Sequence, residues 1–236
     1  MIIWLESFPR SGNTFFRILL NRIYGFQTDS IYYSADSANV SRGDTRTLME
    51  LMGQSPVRRT LDDLEDDPGV HFVKTHDVII RDGRDSLVSY AHFVLRTERG
   101  IVHPTYQDFC QVLEHLIRSK GFGGWSKNVE AWANRVGDER VICYEELIRN
   151  PLGAMARALS DMPIEAVRRG TDVPSFQELQ NSVPWFFRRG TVGAWRDEMP
   201  RALHELFWAY HYRAMERFGY PRSDPWTERQ GVLVTQ

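Results

Sequence analysis

The chain is poor in cysteine. Only Cys110 and Cys143 occur in 236 residues. Both sit in apolar surroundings and read as reduced core residues, which fits a reducing compartment. It also lacks an excess of charge of either sign. With 29 Lys and Arg against 31 Asp and Glu, the formal net charge is −2, so no global basic field argues for a nucleic-acid partner. No apolar run approaches the roughly 20 residues that a membrane-spanning helix needs. No basic leader with a cleavage site precedes the first strand. These absences give the expectation of a cytoplasmic protein with no membrane or nucleic-acid partner. Internal repeats and low-complexity tracts are missing too. No His, Cys, Asp and Glu cluster has metal-ligand spacing, and the acidic run Asp62, Asp63, Glu65, Asp66, Asp67 reads as solvated surface. No metal is expected.

What is present is a length that can bury a sizeable core and an apolar share, 42%, ordinary for a globular protein. We expect a single domain over residues 1–236. The informative stretch comes first: IIWLESFPRSGNTFFRILL, residues 2–20. Ile2 to Phe8 is an apolar run suited to one buried strand. Pro9 to Thr14 is a short turn. Phe16, Leu19, Leu20 and Ile23 then recur at helical spacing. A strand, a Gly-containing turn and a helix make a phosphate cradle, because amides at a helix N-terminus face the anion and the helix dipole favours its charge. Arg10 adds a full cation, and Ser11, Asn13 and Thr14 add side-chain donors.

Further along, helices are expected at Thr45–Met52 and Leu61–Leu64. Val70 to Thr75 reads as a second strand ending in Lys74-Thr75-His76-Asp77, where open α/β sheets place their ligands. Val78 to Ile80 reads as a third, followed by Arg81-Asp82-Gly83-Arg84-Asp85 and a helix over Ser86–Leu95 capped by Asp85. Arg81 and Ser89 can both reach one phosphate. The interval is too short, however. Parallel neighbours need a crossover of a dozen or more residues, and almost nothing separates His76 from Val78. The spacing implies either a segment missing between them or a deletion with altered topology.

Helices are also expected over residues 105–118 and Trp125–Val136. A buried strand is expected at Arg140–Tyr144, and a helix starting near Asn150, where Pro151 is tolerated. Residues 163–170 read as a short helix and Phe176–Asn181 as one more turn. Ser182 to Arg196 (SVPWFFRRGTVGAWR) has no period and many anion donors, and reads as a binding loop. Pro200 to Phe218 is an amphipathic helix stopped by Gly219 and Pro221.

Several of these motifs together resemble the cytosolic-type sulfotransferases, which use 3′-phosphoadenosine-5′-phosphosulfate (PAPS). SFPRSGNTFF is similar to their 5′-phosphosulfate loop, VKTH to the segment of their catalytic His, and IIRDGRDSLVSYAHF to their 3′-phosphate motif. FFRRGTVGAW is similar to their Arg-Lys-Gly-x-x-Gly-x-Trp loop, and YEELIRNP to the segment whose Tyr lies near the adenine. The resemblance covers about residues 2–196, in the family's order. Arg10 stands for the usual Lys, Phe15 for a Trp and Arg189 for the loop Lys. At the place of the family's dimerisation motif, Pro200 and Arg201 replace Thr-Val, so that dimer is not implied.

The resemblance implies an α/β fold: a three-layer sandwich with a central parallel sheet, like P-loop nucleotide hydrolases. It implies His76 as general base and Lys74 and Arg10 as stabilisers of charge on the sulfuryl group. Asp77 is a second candidate base. The turn amides of Ser11 to Thr14, with Gly12 and Asn13 between them, hold the 5′-phosphate. Arg81, Ser89, Arg188, Arg189 and Gly190 hold the 3′-phosphate, and Phe15, Tyr144 and Trp195 lie around the adenine. The product is adenosine 3′,5′-bisphosphate. The acceptor is expected to be a small apolar or aromatic molecule, with Tyr32, Tyr33, His92, Phe93, Trp185 and Phe186 as candidate lining. Two alternatives remain, a P-loop kinase and a non-catalytic nucleotide-binding module. The first is disfavoured because the turn lacks the first Gly and the Lys of G-x-x-x-x-G-K-[ST].

Overall fold

The computed structural model describes residues 1–30, 45–54, 59–160 and 162–223, with Glu6, residues 74–78, Phe122 and Glu139 described by backbone alone. The chain forms two compact units, Met1–Arg81 with Trp132–Gly190, and Asp82–Ala131 with Thr191–Gln236. The fold is α/β.

The first unit holds a parallel sheet of β1 (Ile2–Ser7), β2 (Thr28–Ser30), β3 (His71–Ile80) and β4 (Ile142–Cys143). β3 is central. It pairs with β1 on one side, and on the other with β2 along its first half and β4 along its second.

The two strands expected at 70–75 and 78–80 are one. With no residues for a crossover, the backbone keeps its direction. Ile2 to Leu5 pair with His71 to Lys74, and Glu6 and Ser7 pair with Val78 and Ile79, with the register shift between Leu5 and Glu6. Residues 75–77 fall within that shift as a bulge, a device that bends a strand and re-aims side chains.

Helix α1 (Asn13–Leu19) continues as a π-helical turn over Leu20–Tyr24, closed by Gly25. Its apolar face packs on the sheet: Phe16, Leu19, Leu20 and Ile23 join Leu5, Phe72, Ile79 and Ile142 in one core cluster. Arg17 is 1% exposed and bonds Thr28 Oγ1 at 2.9 and 2.7 Å and Gln54 Oε1 at 2.8 Å, tying α1 to β2. α2 (Thr45–Leu51) and α3 (Leu61–Glu65) stand where expected, α3 with a capping box from Thr60. After β4 there are two helices, not one: α7 (Tyr144–Arg149) and α8 (Pro151–Ser160), parted at Asn150. Pro151 begins the second because its missing N–H costs nothing in a first turn. Residues 163–170 are not helical. There Arg169 and Gly170 donate their N–H groups to the Ile23 carbonyl instead of to a helical ladder. α9 (Phe176–Ser182) closes the unit.

The second unit is helical: α4 (Gly83–Phe93), α5 (Tyr106–Arg118), most of α6 (Gly124–Val136), α10 (Trp195–Glu198) and α11 (Arg201–Arg217). Leu87, Val88, Leu113, Ile117, Trp125 and Phe207 are buried in it. The cap of α4 is Asp82, whose carboxylate accepts the Arg84 N–H, and not Asp85. α11 buries Leu203, Phe207 and Met215 as its pattern implies, and with them His204, Trp208 and His211. Expectations on Tyr32, Tyr33 and residues 224–236 lie outside the described residues. Among the described residues, no helix is long and apolar enough to cross a membrane.

Candidate functional site

The turn after β1 builds the site. Arg10 has φ 67, the left-handed region, and Gly12 follows at φ 108 as the N-cap of α1. A non-Gly residue in that region is uncommon and often functional. At Gly12 the absence of a side chain is required twice, since a β-carbon there would run into the ring of Tyr144. The first turn of α1 has no side-chain cap. The amides of Asn13, Thr14 and Phe15 are therefore the orphan donors that a helix start presents to an anion.

One side chain expected to face that anion, Asn13, is turned inward, and one amide, that of Ser11, is already engaged. Ser11 is fully buried, and its amide donates to the Phe8 carbonyl at 3.1 Å. Asn13 donates from Nδ2 to the Leu5 carbonyl at 2.9 Å. Both hold the turn to β1. Of the turn amides expected to hold the 5′-phosphate, that of Ser11 already has a partner in the Phe8 carbonyl.

Cations converge on the turn. Arg81, at the end of β3, donates to the Arg10 carbonyl at 3.2 Å, and its guanidinium lies 4.4 Å from the Tyr144 ring centroid. Arg10 donates to the Phe186 carbonyl at 2.9 Å and stacks on that ring at 4.1 Å. Burial lowers the Arg10 guanidinium to about 10. Arg81 and Arg188 push it the same way, while Tyr144 opposes them. An Arg10 guanidinium lowered by burial and by two neighbouring cations, next to helix amides, suits a multiply charged anion.

The other expected residues distribute as follows. Phe15 is half-buried against the apolar clusters under α1. Arg188 is half-buried, Arg189 exposed, and Gly190 lies against the Phe176 ring. Ser89 and Trp195 belong to the second unit. Trp195 is 0% exposed, its ring packed by Arg84 at 4.0 Å and stacked on His204 at 5.1 Å. It leaves no face for an adenine, so its expected ligand contact gives way to an anchoring one. His92 also lies in the second unit, 2.7 Å from Glu198 and stacked on Phe109. Trp185, Phe186 and Phe187 form an aromatic row in the first. The side chains of Lys74, His76 and Asp77 lie outside the described ones. The backbone places all three at the β3 register shift, opposite Leu5 and Glu6.

Sequence reasoning missed Asp85 as a structural acceptor. Its carboxylate is 1% exposed and accepts the Gly193 N–H at 2.6 Å and the Trp195 N–H at 2.9 Å. A helix-cap reading consumed the residue first, and nothing local points to partners over a hundred positions away.

Residues 2–219 match the family model described as the sulfotransferase domain. The chain is similar to Sulfotransferase 1E1 of Rattus norvegicus, 27% identical over 161 residues, covering 58% of this chain and 54% of that protein. It is similar to Sulfotransferase 1A1 of Canis lupus familiaris, 23% identical over 257 residues, covering 91% and 83%. Sulfotransferase 1 family member D1 of Mus musculus is likewise 23% identical over 257 residues. In the 1E1 matches the chain spans about half the length of its relatives.

Proposed function

Because the chain belongs to the sulfotransferase domain family, we propose that it moves a sulfuryl group from PAPS to a hydroxyl or amine of a small-molecule acceptor by in-line displacement. The observation that carries this is the cradle in the first unit: a glycine turn with orphan helix amides, gathered under Arg10, Arg81 and the field of Arg188. The donor set fits a nucleotide with phosphates at two positions, since cations arrive from three separate chain segments.

On this reading the amides of Asn13 to Phe15 and Arg10 hold the 5′ end. Arg81, Arg188, Arg189 and Gly190 serve the 3′-phosphate, which separates this donor from ATP. Phe15 and Tyr144 take the adenine side. Sulfuryl transfer, like phosphoryl transfer, is accelerated by positioning and by stabilising spread negative charge. The guanidiniums supply that charge without a metal. His76 takes the proton from the acceptor, histidine being the side-chain type suited to that work near neutral pH, and Lys74 assists on the sulfuryl oxygens. The aromatic row Trp185 to Phe187 favours an apolar or aromatic acceptor, and the scarcity of cysteine fits a cytoplasmic setting.

The test is transfer from radiolabelled PAPS to a panel of phenols, alcohols and amines, with His76→Ala and Arg81→Ala in parallel. Labelled product from the wild type, and little from either variant, supports the reading. No product from any acceptor, with phosphoryl transfer from ATP and Mg²⁺ instead, contradicts it.

A further inference from the structure

The first turn of α4, Asp82-Gly83-Arg84-Asp85, makes a dense set of structural contacts inside the second unit. Asp82 caps the helix and grips Arg84 through both carboxylate oxygens, at 2.9, 3.2 and 2.6 Å. A β-carbon on Gly83 would come within 2.7 Å of the rings of Trp125 and Phe207. Arg84 lies over Trp195. Asp85 takes one N–H on each oxygen, from Gly193 and from Trp195.

These two segments matter for what immediately precedes them. Arg81 lies four residues before Asp85, and Arg188 five residues before Gly193. In the first unit both cations act on Arg10. Like charges gathered around an anion site repel until the anion arrives. The turn at Gly193 has φ 80, and its part-buried amide and the buried amide of Trp195 are donors that need acceptors. One buried carboxylate supplies both.

We infer that Asp85 is a positioning residue of the donor site: by clamping the Gly193–Trp195 turn to the first turn of α4, it fixes the chain directly downstream of Arg81 and Arg188 and so holds the 3′-phosphate arginines in place. It touches no reacting atom. This inference rests on the donor reading above.

The test is calorimetric binding of adenosine 3′,5′-bisphosphate and adenosine 5′-monophosphate to the full chain. Asp85→Asn keeps the shape but turns one acceptor into an NH₂ facing an N–H. Gly193→Ala strains the same turn from the other side, without touching the buried carboxylate, and carries the test if Asp85→Asn melts early. The wild type prefers the bisphosphate. Both variants lose that preference on the order of tenfold while the monophosphate affinity stays. In an Arg81→Ala, Arg188→Ala background, Asp85→Asn changes the ratio no further. An unchanged ratio in both variants, or an equal loss for both ligands, overturns the positioning role. A wild type that does not distinguish the two ligands overturns the donor reading itself, before the variants are compared.

Discussion

The ring of Tyr144 occupies the space that any side chain on Gly12 would need. One residue comes from the turn after β1, the other from the first position of α7, and together they close the floor of the anion cradle. Gly12 also sits at φ 108. Gly12→Ala therefore meets a conformational cost of about 1–3 kcal/mol and displaces the tyrosine. We predict a lower melting temperature and loss of bisphosphate binding by calorimetry. A variant that binds like wild type would show that the Tyr144 ring moves aside at little cost.

Arg10 gives a pH prediction. Burial and neighbouring cations lower its guanidinium to about 10, so the cation is lost as pH rises through that value, earlier than for an ordinary arginine. A bound phosphate favours the charged form. Bisphosphate affinity should fall between pH 9 and pH 10.5, roughly, with proton uptake on binding, read in two buffers of different ionisation heat. In Arg10→Ala the affinity is lower and that fall is missing. A flat wild-type profile contradicts the assignment.

His211 governs acid stability. Its Nε2–H donates to the Ile117 carbonyl at 3.2 Å, leaving Nδ1 to accept from the Ser126 hydroxyl at 2.7 Å. Burial depresses its pKa from 6.5 to about 4. The unfolded chain therefore binds the extra proton in that window. The stabilisation is fully present above pH 6.5 and is lost as pH falls toward 4, up to about 3 kcal/mol. Urea unfolding at pH 7 and pH 4.5 should show the drop, and His211→Gln should flatten its share. An identical drop in both proteins would assign it elsewhere.

Arg84 neutralises Asp82 where both are nearly dry, at 2% and 10% side-chain exposure. Arg84→Ala removes the cation paired with a buried carboxylate and should cost about 3–5 kcal/mol in urea unfolding. Arg84→Lys should fall between, since an ammonium lacks the fork and the flat stack on Trp195. A loss below about 1 kcal/mol would mean that water reaches Asp82.

The β1–turn–α1 unit was legible because strand, glycine turn and helix are set by local pattern. The convergence of Arg10, Arg81 and Arg188 was legible only through resemblance, because no local rule joins positions so far apart. The reading stumbled where context overrules the local signal. Asp85 looks like a cap, yet Asp82 fits that place and Asp85 is drawn to two distant amides. Residues 163–170 look helical, yet Arg169 and Gly170 spend their amides on Ile23. The polar positions His204 and His211 broke the apolar stripe of α11, although hydrogen-bonded imidazoles pack as core. At β3, the missing crossover was visible in the spacing. Its resolution into one bulged strand depends on pairing with β1, which spacing does not encode.

The most direct test of the central claim compares adenosine 3′,5′-bisphosphate with ATP and Mg²⁺ by calorimetry and thermal shift, on the wild type and on Arg81→Ala. The account predicts tight, metal-independent binding of the bisphosphate that Arg81→Ala weakens strongly. Preference for ATP with Mg²⁺, or bisphosphate binding indifferent to Arg81, would contradict it.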